Sequence, residues 1–354
     1  MTDLSYTVIS HDASIEPSEL TAISRDGALW LTPVHFESAT GWKVRDVGLC
    51  RDDACVPISH LPELRDGDLI DLVGTAALLG APLVVDDRER IAAIGTAAAI
   101  RAAELADDRA PEVTLRDLDG RPAPLLNDSG DKQMVVAFSS WCGCRYDLPG
   151  WQRLHDELSP HGFGVVAVAV DESPDDVRPW VEDLDLPVLL DADRSFCDRY
   201  GIVNVPTVVW IDEDRRIVQP NLQAFSDDQF KEFHGKASEP HARALRSWVV
   251  EDVAPVPETE LEGQRPHATV DGQLARTEFR LSLELRRRGR IDAADEHQRR
   301  ASQLAPDDFT IWRAGLRLSG QDPFGDQFFE LYEQWKQRTG GHSYPSDRQV
   351  AGDD

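Results

Sequence analysis

Two runs of apolar residues, QMVVAF (133–138) and GVVAVAV (164–170), limit the folds open to this chain more than any other feature. A strand with one wet face alternates apolar and polar residues. A strand that is apolar at successive positions is covered on both faces, as inside a parallel sheet flanked by helices. The intervening segments supply such helices. CRYDLPGWQRLHDELSPHG (144–162) places Leu148, Trp151, Leu154 and Leu158 on one helical face, and Ser173 caps the helical segment SPDDVRPWVEDLDL. PVLLDADRSFCDRYGI reads as a short strand and a helix, VPTVVWIDEDRRIV as two strands around an acidic turn, and PHARALRSWVV as a closing helix. Strands and helices alternating in this order predict an α/β domain over residues 109–250.

The remaining sequence divides around that domain. With 354 residues, two or three domains are expected, since one domain runs to about 100–150 residues. Residues 1–108 combine short β-like runs (ALWLTPVHF, GWKVRDVGLC, CVPI) with helical stretches at DLIDLVGTAALLG and IAAIGTAAAIRAAELADD, which predicts an N-terminal α+β domain. Residues 252–272, rich in Pro, Glu and Gly, have linker composition. Residues 262–338 are helical and charged. Gly289, Ala294, Ala301 and Pro306 fall at the small-residue and proline positions of a tetratricopeptide helix pair, and Trp312 opens a partial second repeat. A generic helical hairpin fits almost equally well. A single pair cannot bury its own apolar face, so it has to dock on another domain or on a protein partner. Residues 339–354 read as a disordered tail.

The chemistry concentrates in cysteine. Five cysteines, an odd number, argue against a disulfide scaffold, yet four of them form two close pairs. In FSSWCGCRYDLP an apolar strand runs straight into Trp141-Cys142-Gly143-Cys144 and then into a helix. A cysteine at a helix start meets free N–H groups and the positive end of the dipole, which favour the thiolate, the form that attacks disulfides or peroxides. A second thiol nearby can resolve the mixed disulfide. Cys50 and Cys55 form a C-x4-C, open to three readings: a second redox pair exchanging with the first, a bridge stapling a hairpin, or a zinc half-site. Cys197, in RSFCDRYG, is expected to be a buried, inert thiol.

Cys144-Arg145-Tyr146-Asp147-Leu148-Pro149 matches, from the second cysteine onward, the pattern that follows WCxxC in TlpA/ResA-like thiol-disulfide oxidoreductases. Tyr200-Gly201-Ile202-Val203-Asn204-Val205-Pro206-Thr207 and the apolar strand to Asp212 are similar to the cis-proline segment of the same proteins. On these two signatures, over about 140 residues, the middle of the chain resembles the thioredoxin superfamily. The chain also resembles a redoxin group with a WAxxUGxC-type motif, in which selenocysteine often stands at the Cys142 position. The resemblance implies a thioredoxin-like central domain and thiol-disulfide exchange, with Cys142 attacking and Cys144 resolving. It implies a cis Pro206 facing Cys142, with the backbone of Val205 open to an extended substrate. Asp147 either moves protons during exchange or is a solvated charge in the first helical turn. Trp141 either covers the thiols or packs in the core.

One residue, not the family's two, separates Cys142 from Cys144. A CxC bridge closes a smaller ring, which predicts strain and an oxidising couple. Alternatively another cysteine resolves Cys142. A thiol peroxidase is the runner-up reading, although Ser139, Ser140 and Trp141 stand where peroxiredoxins carry their Pro and Thr. A non-catalytic scaffold that binds a partner protein is the third.

The charge of −27, from 37 Lys+Arg against 64 Asp+Glu, opposes binding to nucleic acid or anionic membrane. No basic-then-apolar leader and no stretch near 20 apolar residues is seen, so the reading is a soluble, cytoplasmic protein. No HxH, HExxH, GxGxxG or GxxxxGK occurs, so no metal or cofactor is expected. The expected partners are protein or low-molecular-weight thiols and disulfides, with the C-terminal helices a candidate protein-binding surface.

Overall fold

A computed structural model describes residues 4–10, 20–51, 54–58, 61–126 and 130–348. The chain forms two units. One comprises Met1–Ala102 with Ala268–Ala305, the other Ala103–His267 with Pro306–Asp354.

The second unit carries the predicted α/β domain. Its sheet runs, edge to edge, Pro122–Pro124, Thr114–Asp117, Val188–Leu190, Phe163–Ala169, Lys132–Phe138, Thr207–Ile211 and Ile217–Leu222. The three strands Val188–Leu190, Phe163–Ala169 and Lys132–Phe138 are parallel, and the strands flanking them antiparallel. Every residue of Lys132–Phe138 and Thr207–Ile211 is buried, which requires cover on both faces, as the apolar runs 134–138 and 208–211 within them predict. The helix Leu148–Leu158 buries Leu148, Trp151, Leu154 and Leu158, the stripe read from the sequence. The short-strand, helix and hairpin segments after it, and the closing helix Glu239–Glu251, also form where read. This mixed sheet with its crossover helices is a thioredoxin-like fold.

The first unit is α+β, as expected, but three segments depart from their sequence readings. PVHF (33–36), read within a β-like run, opens the helix Pro33–Thr40, with Thr32 capping it and Pro33 in its first turn. The start of DLIDLVGTAALLG, read as helical, is the strand Leu69–Asp71, and Asp71 caps the helix Leu72–Leu79 that follows. IAAI (91–94), read as the start of a helix, is a strand. It lies parallel to Leu4–Ile9 inside a seven-stranded sheet. Its alternate residues feed two cores. Ala92 and Ile94 join Phe36, Leu72 and Ala76, while Ile91 and Ala93 meet Leu281, Leu285 and Ala294. Alanine's helix propensity is outweighed by burial on both faces of a sheet. Cys50 and Cys55 face each other across the antiparallel strands Gly48–Arg51 and Ala54–Val56 and are joined by a disulfide, with Cα atoms 4.1 Å apart. Asp52 and Asp53, at the expected turn between them, lie outside the described residues.

The C-terminal region is not one helical segment over 262–338. Val270–Arg287 and Ile291–Leu304 form an antiparallel hairpin turning at Gly289, and this hairpin belongs to the first unit. Its arginines Arg286, Arg288 and Arg290 are ion-paired with Asp295, Glu284 and Glu89. Phe309–Leu318 and Asp326–Thr339 belong to the second unit. Trp312 does not open a repeat; it packs with Phe309, Phe328 and Trp335. Residues 252–272 are not all linker, because Glu258–Gln264 is helical. Nor is residue 339 the start of a disordered tail. Residues 343–347 pack into the second unit, with Tyr344, Ser346 and Asp347 buried. The hydrogen bonds made by Tyr344 and Asp347 hold the segment there.

Candidate active site

Strand pairing creates the site. Lys132–Phe138 and Thr207–Ile211 run antiparallel with Ala137 opposite Thr207, so the end of one strand lies beside the start of the other. The chain leaving the first strand carries Cys142, and the loop entering the second carries the cis Val205–Pro206 peptide. Cys142 Sγ lies 3.4 Å from the Val205 carbonyl oxygen. Trp141, Cys142, Cys144 and Asp147 are all at most 5% exposed.

The helix starts later than the sequence reading places it. Cys142 is the N-cap of a 3-10 turn over Gly143–Asp147, and the α-helix begins at Leu148. Pro149 explains the delay: it has no N–H to donate to the preceding turn, so it is tolerated only in a helix's first turn. The 3-10 turn still aims a donor at the sulfur, with the Cys144 amide N–H 3.4 Å from Cys142 Sγ.

The two free thiols are in opposite electrostatic states. Burial alone raises the Cys142 thiol, but the Cys144 thiol, the Arg313 guanidinium, the Cys144 amide and Arg145 outweigh it and bring it down to about 6. Burial, the hydrogen bond to Cys142, the charge of Cys142 and that of Asp147 push Cys144 well above the ordinary thiol range. The arrangement holds one thiolate and one thiol at neutral pH.

Asp147 is a buried carboxyl, not a solvated charge. It accepts the Ser226 amide N–H at 2.9 Å, and the Ser226 hydroxyl donates to its backbone carbonyl at 2.6 Å. Gly150 makes room for this contact, since a Cβ there would lie 2.1 Å from Ser226 Oγ. Burial raises the Asp147 carboxyl to about 7; the Ser226 amide opposes the rise and the Asp227 charge adds to it. Trp141 lies with its ring 5.7 Å from the Arg313 guanidinium. Cys197 is fully buried, as expected, its amide donating to Asp191.

Three further groups shape the site. Asp171 accepts from the Ser139 hydroxyl and Ser140 amide at 3.0 Å and from the Ser140 hydroxyl at 2.5 Å, fixing the turn before Cys142. It terminates the run GVVAVAV, and a carboxylate closing a fully buried strand was the available signal. Arg145, part of the matched motif, donates to the Ser140 carbonyl at 2.6 Å and lies 4.3 Å over the Trp180 ring. Arg313 reaches the site from the C-terminal helices, its Nη1 3.7 Å from Cys142 Sγ. Its signal was an arginine on the helix face that also carries Phe309, Trp312 and Leu316. Among the described residues no group of three or more His, Cys, Asp or Glu could hold a metal ion, and no helix is long and apolar enough to cross a membrane.

A cysteine pair after the central strand, facing a cis-proline loop, defines a redoxin of the thioredoxin superfamily. Residues 106–219 match the AhpC/TSA family. The thiol-disulfide oxidoreductase ResA of Bacillus thuringiensis subsp. konkukian is 26% identical over 127 residues, 35% of this chain and 73% of that protein. ResA of Bacillus subtilis is 27% identical over 113 residues, 31% of this chain and 63% of its own length. Among solved structures, StoA from Bacillus subtilis shows 22% identity and a TM-score of 0.29, covering 34% of this chain and 95% of its own. The exposed lipoprotein thioredoxin Etrx1 from Streptococcus pneumoniae shows 27% identity and a TM-score of 0.29, covering 32% and 90%. Residues 106–219 are thus a redoxin domain of the AhpC/TSA family, and the chain is similar to the ResA proteins over about a third of its length.

Proposed function

We propose that this chain exchanges disulfides through a CxC dithiol, with Cys142 the attacking thiolate and Cys144 the resolving thiol. The observation that carries this reading is the split between the sulfurs: Cys142 is brought down to about 6 while Cys144 is pushed up. The thiolate attacks one sulfur of a substrate disulfide and the other leaves as a thiolate. Cys144 then loses its proton and attacks Cys142 Sγ, which releases the second substrate thiolate and leaves a Cys142–Cys144 disulfide. Asp147, with a carboxyl near 7 and a charge felt by Cys144, is the group suited to take that proton. The cis-proline loop supports the orientation, because the Val205 carbonyl already meets Cys142 Sγ and an extended substrate can use the same edge. Protein and low-molecular-weight disulfides are the substrate class.

The test is trapping with the full-length chain and a small aromatic disulfide. Cys144→Ser is expected to accumulate one mixed disulfide at Cys142, and Cys142→Ser to form none and to lose turnover. Turnover retained by Cys142→Ser would overturn the assignment. Turnover driven by peroxide but not by disulfides would move it to a thiol peroxidase.

A further inference from the structure

Arg313 is a buried cation in an unusual position. It is 6% exposed, on the helix Phe309–Leu318, more than 160 residues from the cysteine pair in sequence. Among the described residues no carboxylate pairs with it. Its neighbour Arg317, one turn on, is paired with Glu172 at 3.1 Å and Asp176 at 2.5 Å. Arg313 instead donates through Nε to the Pro323 carbonyl at 3.1 Å and lies over the rings of Phe328 at 4.0 Å and Phe324 at 4.8 Å. A carbonyl and ring faces offer partial negative charge only, whereas a buried cation calls for a formal anion. The group within reach that can supply one is Cys142 Sγ, at 3.7 Å, and only as a thiolate.

We propose that Arg313 is the counter-ion of the Cys142 thiolate, so that loss of the negative charge at Cys142 during the redox cycle loosens the helix Phe309–Leu318 from the site. The proposal rests on the reading of Cys142 as the attacking thiolate. When that thiolate attacks a disulfide, its electron pair forms the new S–S bond and the leaving sulfur carries the charge away. Attack by Cys144 then expels the second substrate thiolate and leaves Cys142 neutral in the internal disulfide. The substrate has gained two electrons and the dithiol has lost two. From the first step onward Arg313 faces an uncharged sulfur. Coupling is reciprocal: the guanidinium favours the thiolate by as much as the thiolate favours the docked helix. The reduced site is therefore the closed one, and oxidation exposes the disulfide to whatever thiol reduces it.

Arg313 is a positioning residue, and its test reads charge as well as activity. In the full-length protein, alkylation of Cys142 by iodoacetamide is followed against pH. Cys144 and Arg145 also bear on Cys142 and stay unchanged. Arg313→Met, which retains bulk, is expected to slow alkylation near pH 6 about fivefold, as a one-unit rise in the thiol from about 6 would, and Arg313→Lys to restore most of the rate. Amide hydrogen exchange across residues 309–318 then reads the helix. Cys142→Ser is expected to speed exchange about tenfold, and Cys142→Asp, which restores a negative charge, to keep it slow. An unmoved alkylation profile in Arg313→Met, or equal exchange in the serine and aspartate variants, overturns the proposal. Should Arg313→Met fail to fold, the exchange comparison decides alone. If Cys142→Ser loses turnover while these readouts stay unmoved, only the counter-ion role falls. If Cys142→Ser keeps turnover, the underlying reading of the site falls.

Discussion

The Tyr344 hydroxyl accepts the backbone N–H of Val203 at 2.9 Å, joining the C-terminal segment to the loop that carries cis Pro206. The same oxygen accepts the Asn204 amide at 3.2 Å and lies 3.0 Å from Thr207 Oγ1. Phe309 adds a backbone bond to the Val203 carbonyl at 2.7 Å. The wall opposite Cys142 is therefore held by residues outside the family-matched segment 106–219. Tyr344→Phe removes the acceptor and leaves two amide donors unpaired in a buried site. It is expected to destabilise this unit by about 1–3 kcal/mol, read from chemical denaturation, and to lower turnover. A variant as stable and as active as the parent would show that the loop stands without Tyr344.

Asp147 ties function to stability with opposite signs. A carboxyl raised to about 7 in the fold binds its proton more tightly there than in the unfolded chain. Its stabilising effect is complete below the unfolded value near 4 and is lost as pH rises to about 7. The deprotonated form needed to accept the Cys144 proton is the form that costs stability. Asp147→Asn should abolish this decline, making the unit more stable than the parent at pH 8, and should slow the resolving step at least tenfold. Stopped-flow release of the second substrate thiol measures the rate. An undiminished rate would remove Asp147 from the proton path.

Much of the site was legible because it is local. Cys142, Cys144, Asp147 and Pro206 belong to two short motifs, and the unbroken apolar runs dictate a sheet that brings those motifs to one edge. The 3-10 turn at Gly143–Asp147 was also encoded, in Pro149, but was read as continuous helix. Arg313 and Tyr344 were not read because their meaning is tertiary. An arginine on an apolar helix face and a tyrosine in a Gly/Ser/Pro-rich end acquire roles only when the chain returns to the redoxin domain. The division of the C-terminal helices between two units was hidden for the same reason. Helical periodicity shows that a face is apolar and does not say which sheet or site covers it.

The Cys50–Cys55 bond joins facing positions of a hairpin, and Cys55 is exposed. Closing so short a loop is worth about 2 kcal/mol in the chain-entropy account. Cys50→Ser with Cys55→Ser should lower the stability of the first unit by about that amount and leave turnover on small disulfides unchanged. A drop in turnover, together with a trapped Cys142 adduct to Cys50 or Cys55 in Cys144→Ser, would show instead that this pair relays electrons to the redoxin site.

His297 gives the first unit its own pH dependence. It lies on Ile291–Leu304, between Glu278 of the preceding helix and Asp86 at the end of the strand Leu83–Asp86. The imidazole therefore ties the helical hairpin to the sheet, with Nε2 3.2 Å from Asp86 Oδ2. Burial pulls the His297 pKa down, but its hydrogen bonds to Glu278 and Asp86 and their charges outweigh burial and raise it above 6.5. Its stabilising contribution is complete below the unfolded value near 6.5 and disappears as pH rises through the raised folded value. Asp86 behaves in the opposite sense. Burial opposes the shift, yet the Glu89 amide, His297 and the Arg88 amide lower it below 3.8, so its contribution is present above that value and is lost in acid. Together they confine the strongest hairpin-to-sheet attachment to the interval between about pH 4 and about pH 6.5. Hydrogen exchange in residues 291–304 isolates this attachment from unfolding of the other unit. Exchange free energies there should fall between pH 6 and 9 in the parent and stay level in His297→Gln, which retains a hydrogen-bonding side chain without the titrating charge. A parallel decline in both proteins would assign the pH dependence to groups other than His297.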